Sequence, residues 1–116
     1  MSNNWVYLFG KLSGAIEVLI TSSGDARHRV WLASRYIFML SPDTVPESCR
    51  VDIQWIQDML TRYPANKHYE NSLDATYYRT RNVTASKIAQ RIWTLYRMME
   101  TEVDEYLKRG GRHAQQ

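Results

Sequence analysis

Apolar positions recur at three- and four-residue intervals in four stretches of the chain, and turn-forming residues separate those stretches. Such spacing marks helices that each bury one face. The first predicted helix runs from about Trp5 to Ile20, with Trp5, Leu8, Phe9, Leu12, Ile16, Leu19 and Ile20 on one side. Asn3 or Asn4 is placed to cap it, because a short side-chain oxygen accepts from the free amides of a first turn. TSSGD then breaks the chain. A second helix is predicted from about Asp25 to Leu40, with Val30, Ala33, Ile37 and Leu40 as its stripe, widened by Trp31 and Phe38. SPDTVP ends it, and Pro46 suits the first turn of a third helix, where a missing amide hydrogen is no loss. Cys49, Ile53, Ile56 and Leu60 share a face of that third helix, which stops before Pro64.

PANKHYENSLDA, residues 64–75, reads as the long loop, with a short helical turn over 73–79. The last helix is predicted from near Thr84, capped by Asn82 or Thr84, to about Arg109. Ile88, Ile92, Leu95, Met99, Val103 and Tyr106 form its inner face. RVWLASRYIFML has the composition of a buried strand pair, but its length and spacing favour a helix. The expected fold is therefore all-α: an up-down four-helix bundle with a long C-terminal helix. It forms one domain over residues 1–109, with a flexible tail over 110–116.

The most apolar run, WVYLFGKLSGAIEVLIT, is interrupted by Lys11 and Glu17. Short for a span and twice charged, it reads as a buried helix, and no membrane partner is expected. With 116 residues, the chain suffices for a single modest core. Four tryptophans and eight tyrosines argue against disorder. Cys49 is the only cysteine, which excludes an intramolecular disulfide and points to a reducing, cytoplasmic setting without a secretory signal.

Motifs for catalysis are missing. His28, His68 and His113 are far apart, and there is no paired CxxC, HExxH, GxSxG, Walker loop or GxGxxG. Cys49 lies on an apolar stripe, as a core thiol does. The carboxylates of ETEVDE, residues 100–105, read as the solvated face of a helix. These features predict a protein that is not an enzyme and uses no metal or cofactor.

Charge gives the more specific signal. TYYRTRNVTASKIAQR, residues 76–91, contains Tyr77, Tyr78, Arg79, Arg81, Lys87 and Arg91 and no acidic residue. A helix N-terminus falls inside it, and free amides together with the helix dipole favour an anion there. Thr84 and Ser86 add hydroxyl donors. Lys87 and Arg91 are spaced to stand one above the other. Such a set of cations, fixed donors and flat rings suits a phosphate-bearing partner, though it also suits a plain solvated face. Arg27 falls inside the apolar arc of the second helix and needs a partner. Asp52 is the expected partner; alternatively Arg27 and Arg29 join the cations of residues 79–91 in one pocket.

Apolar surface is also in excess of one core. Tyr7, Gly10 and Gly14 lie on the back of the first helix, Leu32 and Met39 opposite the inner stripe of the second, and Trp55 and Trp93 flank the third and fourth. They predict a protein interface or a homo-oligomer. Three functions follow. The first is an accessory protein acting on a nucleic acid or nucleoprotein machine through the basic face. The second is an inhibitor or adaptor of the type phages make, which blocks a host defence protein by protein–protein contact. The third is a binder of a small phosphorylated ligand such as a nucleotide.

Overall fold

The computed structural model describes residues 4–114, so the expected cap Asn3 and the last two residues lie outside the described residues. Five helices follow one another: α1 (Trp5–Thr21), α2 (Ala26–Ile37), α3 (Glu47–Leu60), α4 (Ser72–Arg79) and α5 (Asn82–Ala114). No strand occurs among the described residues, and RVWLASRYIFML is helical as far as Ile37.

Local chemistry sets most of the boundaries. Asp25 caps α2, its carboxylate accepting from the His28 amide at 2.9 Å. α2 ends at Ile37, short of the expected Leu40, and its last carbonyls find a partner outside the helix. The Gln57 side-chain amide donates to the carbonyls of Ile37 and Leu40, at 3.1 and 2.6 Å. Asn71 caps α4 by accepting from the Asp74 amide at 2.8 Å. Asn82, expected as a cap, is itself the first residue of α5. Its side chain ties α5 to α2, accepting from the Arg27 amide at 2.9 Å and donating to Asp25 at 3.2 Å. α5 continues past the expected end at Arg109 as far as Ala114. At 33 residues it is about 50 Å long.

α5 is the element every other long helix shares. It runs antiparallel to α1, with Trp5 against Tyr106 and Phe9 stacked on Tyr96 at ring-centroid distances of 5.8 and 5.0 Å. It also runs antiparallel to α3, where Ser48 donates to Glu102 at 3.1 Å and Asp52 meets Arg91. α2 packs on α1, α3 and α5, and α4 braces the end of α3. The arrangement approximates an up-and-down bundle of four, with α4 as a bracket.

The core joins the stripes that the spacing implied. Val30, Ala33, Ile37, Leu40, Cys49, Ile53, Ile56, Leu60, Ile88, Ile92, Leu95 and Met99 are all essentially inaccessible. Truncating one of the leucines or isoleucines to alanine costs about 2–5 kcal/mol. Two expectations change. The buried face of α1 centres on Leu8, Leu12 and Ala15, leaving Ile20 70% exposed, and Phe38 projects from the end of α2. Gly14 serves the inside of the molecule: a Cβ there would stand 2.7 Å from Tyr36 Cε1, so the glycine admits the α2 ring. No helix among the described residues is long and apolar enough to cross a membrane.

Candidate functional site

Thr80 and Arg81 turn the chain from α4 into α5, and this corner abuts the end of α3. Between them lies a cleft of about 240 Å³ lined by Met59, Arg62, Tyr63, Arg79, Thr80, Arg81 and Thr84. Three guanidinium groups line it and no carboxylate does. Ion pairs among the described residues involve only Arg91, Arg97 and Lys108. Arg62, Arg79 and Arg81 are therefore unneutralised. The first-turn amides of α5 open at the same corner, and they lack helical acceptors by construction.

The cleft is held in shape by a hydroxyl. Buried Thr76 accepts from the Tyr63 amide at 2.8 Å, which pins the loop after α3 to α4. The Tyr63 ring is thereby set beneath two cations: the Arg79 guanidinium lies 4.1 Å from its centroid and that of Arg62 5.6 Å. A ring face attracts a cation without neutralising it. Both arginines are thus oriented while keeping their charge for an anion. Thr80 ends α4 by returning its hydroxyl to the Thr76 carbonyl at 2.7 Å.

Asp25 is tied to the start of α5 through the Asn82 side chain, which donates to it at 3.2 Å. Hydrogen bonds from the His28 amide and then Asn82 hold its pKa below the ordinary carboxylate value, with smaller help from the charges of Arg27 and His28. It caps α2 and does not line the cleft.

The sequence-derived candidates do not all meet in one place. Arg79, Arg81 and Thr84 meet in the cleft. Lys87 is exposed one turn further along the same side of α5, extending the cationic surface. Arg91 does not join it: it pairs with Asp52, whose side chain is 11% exposed, and its guanidinium covers the Trp55 ring at 4.9 Å. This corrects the expected Arg27–Asp52 pair, because the antiparallel run of α3 along α5 puts Asp52 opposite Arg91. Arg27 lies instead at the α2–α4–α5 junction. It covers the Tyr77 ring at 4.6 Å and donates to the Tyr77 carbonyl at 3.4 Å. Its Nε is the single buried side-chain nitrogen or oxygen without a hydrogen-bond partner among the described residues. Arg29 caps backbone, donating to the carbonyls of Gly24 and Leu19 at 2.9 and 3.5 Å. Ser86 faces Leu19, Ala26 and Arg29 on the α1–α2 side.

Tyr77 and Tyr78 face away from the cleft into a groove of about 520 Å³, together with His28, Trp31, Leu32, Tyr69, Leu73 and Asp74. Of the expected interface residues, Tyr7, Gly10, Leu32, Met39 and Trp93 are exposed, whereas Trp55 is half-buried under Arg91. Trp93 joins Ile16, Leu19, Ile20 and Ala89 in a shallow apolar groove between α1 and α5.

Arg62, Tyr63 and Met59 escape a reading by spacing, since they reach the corner from the end of another helix. Their one sequence signal is a basic–aromatic pair just before Pro64, the same combination found at residues 77–81. Cys49 is buried, and burial pushes its thiol pKa up. No group of three or more metal-ligating side chains occurs among the described residues. No family model, curated protein or solved structure matches the chain.

Proposed function

We propose that this is a non-enzymatic binding protein that engages the phosphate backbone of a nucleic acid, alone or within a nucleoprotein machine. The site is the cleft of Arg62, Arg79 and Arg81, with Lys87 extending it. One observation carries the reading: three unneutralised guanidiniums share a cleft at a helix N-terminus, two of them steadied by one tyrosine ring. Guanidinium forks match phosphate geometry, and free amides add fixed donors. A reducing, cytoplasmic setting accords with a lone buried cysteine.

Phosphate binding releases condensed counterions, so its affinity falls steeply as salt rises. Titrating a labelled oligonucleotide at two salt concentrations tests the proposal. Wild type is expected to bind with a steep salt dependence that Arg79→Ala and Arg81→Ala reduce. Absent or salt-insensitive binding sinks the idea.

A second reading has its own observation. The groove of Ile16, Leu19, Ile20, Ala89 and Trp93 exposes apolar area that a monomer has no use for. It supports an inhibitor or adaptor working by protein contact. Binding through it would change little with salt, which separates the two readings in one titration.

A further inference from the structure

The cleft is one half of what α4 presents. On the other side of this eight-residue helix, about 12 Å long, lies the groove between α2 and α4. We propose that this groove is the base-binding half of the same site, so that the preferred ligand is single-stranded nucleic acid. Its phosphates lie over Arg62, Arg79 and Arg81, and its bases stack in the groove. This rests on the reading of the cleft as a phosphate site.

Four aromatic rings line the groove, and three have an evident restraint. Trp31 donates through Nε1 to the Leu73 carbonyl at 3.0 Å. Tyr77 lies under the Arg27 guanidinium and 5.6 Å from the Trp31 ring. Tyr69 is set by the loop, whose Asn66 side chain accepts from the amides of His68 and Tyr69 at 2.7 and 3.1 Å. The fourth ring, Tyr78, stacks on Tyr69 at 5.0 Å with planes 16° apart and meets the Tyr77 edge at 5.0 Å. Tyr78 nevertheless remains 59% exposed. It is a large flat surface held still and left in water beside Arg79, its neighbour in the chain. The groove's one carboxylate, Asp74, is engaged by the Asn71 side-chain amide at 3.2 Å.

Fixed rings next to oriented cations are what unpaired bases need, because every base has a π-face and only an unstacked base offers it. A duplex keeps those faces inside its own stack. It could therefore use the cleft but not the groove.

The test compares three labelled ligands at low salt: an oligothymidylate, an abasic strand with the same sugar-phosphate backbone, and a duplex of equal length. Wild type is expected to bind the oligothymidylate about 10- to 100-fold more tightly than the abasic strand, the range for one base–aromatic stack. Tyr78→Ala is expected to lower oligothymidylate binding to the abasic level and to leave abasic binding alone. Tyr78→Trp keeps a ring and restores the difference, which separates stacking from misfolding. Equal affinity for the oligothymidylate and abasic strands, or an unaffected Tyr78→Ala, overturns the groove proposal. If Arg79→Ala still weakens all three ligands in that case, the phosphate reading stands alone. No binding of any ligand by wild type overturns both.

Discussion

Of the arginines that cover aromatic rings, Arg91 and Arg79 do opposite things. Arg91 lies over Trp55 and is paired with Asp52; Arg79 lies over Tyr63 and is paired with nothing. The rings are alike in role, so the carboxylate makes the difference. At Arg91 the charge is neutralised inside the α3–α5 seam and contributes to folding. At Arg79 the charge is oriented but unspent, beside two further guanidiniums. An aromatic partner therefore says where a guanidinium points, and only its acid says whether the charge is available. On this criterion the cationic surface ends at Lys87, one turn before Arg91.

The widest separation between the two arginines is expected in binding. Arg79→Ala with Arg81→Ala removes two charge-assisted contacts at about 1.5–3 kcal/mol each. That predicts a loss of oligonucleotide affinity of at least about 100-fold, read by fluorescence anisotropy, with thermal melting near wild type. Arg91→Ala should show the reverse: unchanged binding and a loss of roughly 1–3 kcal/mol in denaturant unfolding, because Asp52 is left buried without its partner. Asp52→Ala should cost less than Arg91→Ala, since the Arg91 side chain is 36% exposed and can turn to water. A double-mutant cycle measures that asymmetry. A coupling energy near zero would mean that the pair contributes nothing to the α3–α5 seam.

Smaller effects sharpen the boundary of the cationic surface. Lys87→Ala should weaken binding only a few-fold, the scale of a single exposed charge. Asp25→Asn keeps a good N-cap for α2 and removes its charge. Asp25 has a folded-state pKa below its unfolded value near 3.8. Its charge therefore adds stability above the unfolded pKa and loses it as pH falls through the folded value. The small melting difference between wild type and Asp25→Asn should be present at neutral pH and vanish in strong acid. A difference that persists there would assign the effect to the amide rather than the charge.

These contrasts were unequally legible in the sequence. The stripe Cys49, Ile53, Ile56 and Leu60 is local, since helical spacing alone puts those residues on one face. The same spacing aligns Lys87 and Arg91 but says nothing of Asp52, because that pairing depends on how α3 runs along α5. Arg79, Arg81 and Thr84 could be gathered from one stretch of chain. Arg62 and Tyr63 could not, for the contact is made across the loop through Thr76. Ile20 and Phe38 fall on the apolar face by spacing because an ideal wheel has no ends. In the folded chain both sit at helix termini and are exposed.

The clasp of Trp5 against Tyr106 has a consequence for the order in which the molecule is made. The first helix can pair with α2 early, since the residues joining them are few and loop closure is fast. Its other face waits for the far end of α5, about a hundred residues downstream. Until α5 has been made, Leu8 and Leu12 on α1 and Ile53 and Ile56 on α3 lack the helix that covers them. A nascent chain of this protein therefore carries an open apolar cradle until α5 is in place. It closes in one late docking step, when α5 lies down along all three partners. Apolar surface left open in that way is what makes incomplete chains prone to aggregate.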